Sequence, residues 1–285
     1  MSETYAPSPK ADKVADWLEV TAIREDRGLG AAPLHALAAA AGVRDADVDL
    51  GRHTMARRSA LLGDAYPFRT GSGIAAVPDA ADHAWTSMLL MSADSPVRSE
   101  VDLPHAALIH EQITVAALCR LYGSGTHALR FGWPSDVGRP REFSDAVRWL
   151  ASEMGVPVGS AYRPPYAKDG GVDVVAWLPF PDGRSGFPVT LVQCTVERDY
   201  AHKARDVDVR VWAGWLRLDF DPTTALAVPE VVAAGEAWNA LAARTVVLDR
   251  IRLTALLGVE TKTATTLAGV RKWTTTTIGR LRSTQ

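Results

Sequence analysis

Apolar positions recur at helical spacing through the first part of the chain. Val14, Trp17, Leu18 and Ile23 begin one amphipathic stretch, and residues 34–41 form a short, nearly all-apolar helix stopped by Gly42. Ile109, Ile113, Ala116, Ala117 and Leu121 predict a further helix over 104–121, which the Gly-Ser-Gly-Thr run at 123–126 breaks. Between them, residues 66–82 combine Pro, Gly and Ser and predict a loop with at most a short strand. Residues 1–130 are therefore expected to be mainly helical.

The second half changes period. Over 140–155, Phe143, Ala146, Val147, Leu150 and Met154 share one helical face, and Gly155 is a natural stop. A strand is expected at 157–162, followed by a Pro-rich bend. Residues 171–180 (GVDVVAWLPF) and 187–196 (FPVTLVQCTV) are β-branched and alternating, and the PDGRSG turn between them closes a hairpin. A charged, helix-like stretch follows over 200–216, then a strand within 224–232 and a long helix over 235–258 that ends at Gly258. Helix, three strands, helix, strand and helix make an α/β unit, a mixed sheet flanked by helices.

Length and composition narrow the class. The 285 residues favour two domains over one, here a helical region over 1–130, an α/β domain over 131–260 and a basic, Thr-rich tail over 261–285. No apolar run approaches the ~20 residues that span a bilayer, and the N-terminus lacks the apolar region of a secretory signal, so a cytoplasmic protein without membrane contact is expected. Cys119 and Cys194 are too few and too far apart for a disulfide framework or a zinc cluster. The formal net charge of −2 excludes a uniformly basic coat protein, but it averages unlike regions. Residues 1–110 carry a net −5 and residues 241–285 a net +6. Arg271, Lys272, Arg280 and Arg282, with Trp273 among them, suit contact with a phosphate backbone; a solvated helix and frayed terminus accounts for them equally well.

The residues that suggest chemistry lie on the hairpin. Strand alternation sends Gln193 and Thr195 one way and Val192 and Cys194 the other, and the hairpin sets Asp173 opposite residues 193–195. A carboxylate, an amide oxygen and the Cys194 carbonyl then converge at the sheet edge, an all-oxygen set with room for water that suits Mg²⁺, with Mn²⁺ as an alternative. The Cys194 thiol is expected to be a small core hydrophobe. Other signatures are missing. His105, His110 and Glu111 do not have H-E-x-x-H spacing, and neither a phosphate-binding loop nor G-x-S-x-G occurs.

The element order together with GGVDVVAW and VTLVQCTV resembles the core of the PD-(D/E)xK, or restriction-endonuclease-like, nuclease superfamily over residues 131–260, in particular its Gln-containing Mrr-like and bacterial-defence variants. The resemblance implies a metal-dependent DNA endonuclease in which Asp173 and Gln193 hold Mg²⁺. A further acid would come from the helix before the first strand, for which Glu142 is preferred over Asp145. The Lys that usually follows Gln by two positions is Thr195 here. Either Lys203 or Lys168 supplies the missing cation, or the domain is catalytically inactive and binds nucleic acid or scaffolds a defence complex. Residues 1–130 would then serve recognition, homo-oligomerisation or docking to a defence-system partner.

Overall fold

The computed structural model describes residues 9–26, 28–164, 168–259 and 267–283. They contain ten α-helices, a two-stranded hairpin and a five-stranded mixed sheet. The chain divides into two units that interleave in sequence: one comprises 1–109, 229–239 and 249–285, the other 110–228 and 240–248. The division differs from three consecutive segments because residues 110–130 join the sheet unit while the C-terminal helix joins the helical one.

In the helical unit, α1 (Pro9–Arg24), α2 (Ala31–Ala40) and α3 (Asp45–Leu62) are followed by the hairpin β1 (Phe68–Thr70) and β2 (Ile74–Ala76), and by α4 (Ala84–Met91). α1 buries acids as well as apolar residues. Asp12, Asp16 and Glu19 recur on one face at i, i+4 and i+7 and are all buried. Arg58 of α3, with 0% exposure, pairs with Asp12 and Asp16, each at 2.8 Å, and with Glu19. Arg250, the first residue of helix Arg250–Leu257, grips both Asp16 oxygens at 2.8 and 3.1 Å. Both guanidiniums lie over the Trp85 ring, at 5.1 and 5.0 Å, and Trp85 Nε1 and the Tyr66 hydroxyl donate to Glu19. Burial opposes the Asp16 charge, but Arg250 and Arg58 outweigh it and hold that carboxyl below its usual range. For Glu19 burial wins, and its carboxyl is raised.

In the sheet unit the strands run in the order β3 (His127–Arg130), β4 (Val174–Trp177), β5 (Val189–Cys194), β6 (Thr223–Ala227) and β7 (Val246–Leu248). β3, β4 and β5 pair antiparallel, and β5, β6 and β7 parallel. One face packs against α6 (Phe143–Met154) and α7 (Val209–Trp215) around Phe131, Leu150, Val175, Leu191, Trp212 and Trp215. α6 ends as expected, with Gly155 left-handed at φ 69°. Thr190, out of phase with Leu191, turns to the other face and meets the Tyr122 hydroxyl just beyond α5 (Leu103–Leu121).

Two expected elements are corrected. Residues 157–162 are not a sheet strand: Val158 bridges Leu216, and Gly159 N and Ala161 N donate to the carbonyls of Trp215 and Gly214 at the end of α7. Pro157 lacks an N–H, and its carbonyl is taken by Arg217 N. The first sheet strand is β3, so the helix that precedes the sheet is α5. Nor is 235–258 one helix. It divides into α8 (Glu236–Ala242), β7 and α9 (Arg250–Leu257), because the β-branched run Thr245-Val246-Val247 pairs beside β6, and Asp249 then caps α9 through Arg252 N at 3.0 Å. The Thr-rich terminus is also no loose tail where it is described. Residues 268–283 form α10 (Ala268–Ser283), which buries Val270, Trp273, Thr274, Thr277, Ile278 and Leu281; residues 261–266 and 284–285 lie outside the described residues.

Removing one partner of a buried ion network strands the others. Arg58→Ala is expected to lower stability to urea by about 3–5 kcal/mol; a loss below about 1 kcal/mol, the range of an exposed pair, would contradict the packing described.

Candidate metal centre

The register of β4 on β5 fixes the first part of the site. Val174 pairs with Val192, so Asp173, one residue before β4, stands opposite Gln193, the penultimate residue of β5. Its backbone continues both ladders: Asp173 N donates to Val192 O at 2.8 Å, and its carbonyl accepts from Phe131 N at 2.7 Å and Gly132 N at 3.0 Å. The side chain is equally constrained. Oδ2 accepts from Cys194 N and from Gln193 Nε2, both at 2.7 Å, and Gln193 Nε2 also donates to the Cys194 carbonyl at 3.1 Å. Three of the expected groups therefore meet at the C-terminal ends of β3 and β5, the end of an open α/β sheet where ligands bind.

The other Asp173 oxygen has a different neighbour. A Cβ on Gly132 would stand 3.4 Å from Asp173 Oδ1 and 3.2 Å from Glu111 Oε2, so both carboxylates border the volume this glycine leaves open. Glu111 is the one acid in α5. Arg130 Nε donates to its Oε2 at 2.7 Å, while Arg130 also pairs with Asp136 at 2.7 Å and donates to Pro134 O at 3.2 Å.

This placement is electrostatically costly. Burial, then the Glu111 charge, push Asp173 up to about 8; Asp169 adds to the rise, and the Cys194 amide and Lys203 only partly offset it. Burial also raises Glu111 above its usual range despite Arg130. Burial drives the neighbouring His110 down to about 4, leaving that ring neutral near pH 7. The Cys194 thiol is buried and raised, first by burial and then by Asp173, consistent with a core thiol rather than a nucleophile.

The remaining expected residues fare differently. Glu142 is exposed at the N-terminal boundary of α6, and the helix carboxylate at the site is Glu111, because α5 and not α6 precedes the sheet. Lys203 acts on Asp173 through space, and its Nζ lies 3.7 Å from both Glu197 and Asp206. Lys168 is exposed and gives its carbonyl to Arg139. Thr195 is buried, and its hydroxyl accepts from Glu197 N at 3.1 Å. In α10, Arg282 donates to Ile23 O and pairs with Asp26, Arg280 donates to Thr277, Arg271 is half-buried and Lys272 is exposed.

Among the described residues, no three His, Cys, Asp or Glu side chains are grouped to hold a metal by themselves. The donor set is two carboxylates, one amide and one carbonyl. It fits a hard divalent cation that keeps several waters, provided the Gln193 amide turns to present Oε1 where Nε2 now faces Asp173. Compared with protein-family models, curated proteins and solved structures, the chain matches none. The geometry stands alone.

Sequence reasoning set Glu111 aside with His105 and His110 because the three lack zinc-protease spacing. Its isolation as the single acid in a largely apolar helix was the available signal.

Two outcomes follow. In cation-free buffer the folded protein holds the Asp173 proton more tightly than the unfolded chain, so stability falls as pH rises from about 4 to about 8. Asp173→Asn should make this slope shallower and leave the variant more stable by about 2–5 kcal/mol at about pH 9, as read by urea unfolding in EDTA; equal slopes for the two proteins would contradict the burial described. Gly132→Ala places a methyl 3.2 Å from Glu111 Oε2 and 3.4 Å from Asp173 Oδ1 without replacing either side chain. It should weaken Mg²⁺ binding about tenfold or more in calorimetric titration while leaving the thermal midpoint nearly unchanged, and unaltered affinity would contradict a cation at this place.

Proposed function

We propose that the sheet unit is a metal-dependent DNA endonuclease domain of the restriction-endonuclease-like kind. The observation that carries this reading is the meeting of the Asp173 and Glu111 carboxylates around Gly132, with Gln193 and the Cys194 carbonyl beside them. The element order supports it: α5, β3, β4, β5, α7 and β6 run helix, three strands, helix, strand, with α6 inserted after the first strand. Asp173, Gln193, the Cys194 carbonyl and Glu111 would hold Mg²⁺ or Mn²⁺. Such an ion, when bound, polarises a phosphodiester oxygen and lowers the pKa of an attacking water.

The protein's own groups have separable tasks. Arg130 orients Glu111 and limits its charge. The Cys194 amide fixes Asp173 Oδ2 and leaves Oδ1 directed at the glycine-lined volume. Lys203 stands in for the cation missing at Thr195, supported by its attraction to Asp173. Lys272 of α10, which is exposed, would contact a backbone phosphate. A role in bacterial defence against foreign DNA rests on the sequence resemblance alone. No helix among the described residues is long and apolar enough to cross a membrane.

A second reading, a nuclease-like fold without catalysis, is favoured by the direct Gln193–Asp173 hydrogen bond and by uncharged Thr195. Plasmid DNA incubated with Mg²⁺ or Mn²⁺ separates the two. Cleavage by wild type that falls about 10²–10³-fold in Asp173→Ala and in Glu111→Gln, the scale of losing a group that stabilises transition-state charge, supports the enzyme. DNA binding without cleavage in either metal supports the alternative.

A further inference from the structure

The loop after β3 carries a feature that metal binding does not use. Trp133 follows Gly132 directly and is 47% exposed, although the loop on which it stands is heavily braced. Arg130 holds Pro134 O at 3.2 Å and Asp136 at 2.7 Å. The Ser135 hydroxyl accepts from Val137 N at 3.1 Å and Arg139 N at 3.0 Å. Arg139, buried, stacks over Phe131 at 4.5 Å and approaches the Trp133 ring at 5.9 Å. Its guanidinium also donates to the carbonyls of Pro140 and Lys168. A large aromatic side chain fixed in this way and left open to water is poised for a flat apolar ligand.

Its position says which ligand. The preceding residue borders both carboxylates, so a phosphate engaged by a cation there would lie within a nucleotide's length of residue 133. In an intact duplex, base faces are covered by their neighbours. Only an unstacked base can lie on Trp133. Resting on the nuclease reading above, we infer that the preferred substrate is single-stranded, or locally melted, DNA, and that Trp133 is a specificity-determining residue that stacks on the base next to the scissile phosphate.

The test is fluorescence anisotropy of a labelled oligothymidine strand, and of a duplex of equal length, with Ca²⁺ in place of Mg²⁺. Wild type should bind the single strand more tightly than the duplex. Trp133→Ala should weaken single-strand binding about tenfold and change duplex binding little, while Trp133→Phe keeps most of the affinity. An unchanged thermal midpoint is expected for both variants because the side chain is exposed. Equal single-strand binding by wild type and Trp133→Ala, or no single-strand binding by wild type, would overturn the inference. The nuclease reading fails separately, if Trp133-dependent binding persists but no metal supports Asp173-dependent hydrolysis.

Discussion

A buried carboxylate and a partly buried one set side by side are the constraint around which the sheet unit is arranged. Asp173 belongs to the β4–β5 ladder through its backbone and cannot withdraw without breaking hydrogen bonds to Phe131, Gly132 and Val192. Glu111 comes from a separate helix and is drawn in by Arg130. Neither acid is ionised without cost in this setting, since burial raises both and the Glu111 charge raises Asp173 further. Two neighbouring acids raised in this way and only partly balanced from within mark a candidate functional site.

The helical unit handles buried acids in the opposite way. Asp12, Asp16 and Glu19 face two guanidiniums that are themselves fully buried, and the indole and phenol of Trp85 and Tyr66 take up the remaining Glu19 oxygens. Two guanidiniums and two neutral donors answer three acids inside the network, with Glu19 raised by its burial, and the cluster ties α1, α3, α4 and α9 together. At Asp173 the lysine that lowers its rise, Lys203, is shared with Glu197 and Asp206, and the arginine on Glu111 is shared with Asp136. The contrast separates an ion cluster that holds a fold from a pair of acids whose charge is only partly balanced from within.

Strand alternation made the hairpin, its turn and the opposition of Asp173 to Gln193 legible in the sequence, because each depends on residues close together in the chain. The same holds for α5 and for α6 with its Gly155 stop. What was not legible depended on distant pairing. Residues 157–162 have strand-like composition, yet the end of α7 takes their hydrogen bonds. Val246 and Val247 sit inside a helical-looking run, yet β6 offers them a ladder. Placing the first strand at 157–162 drew attention to Glu142 on α6 and away from α5, whose Glu111 borders the same volume as Asp173. Nor does helical period reveal that the acids of α1 point inward, since that depends on Arg58 and Arg250, 42 and 234 residues away from Asp16.

Because the account rests on Glu111 and Asp173 sharing one cation, Mn²⁺ titration followed by electron paramagnetic resonance tests it most directly. The free-ion signal should be quenched at one Mn²⁺ per chain in wild type, and the quenching should be lost when Glu111→Gln and Asp173→Asn are combined. Retention of that stoichiometric site in the double variant, or no Mn²⁺ bound by wild type, would contradict it.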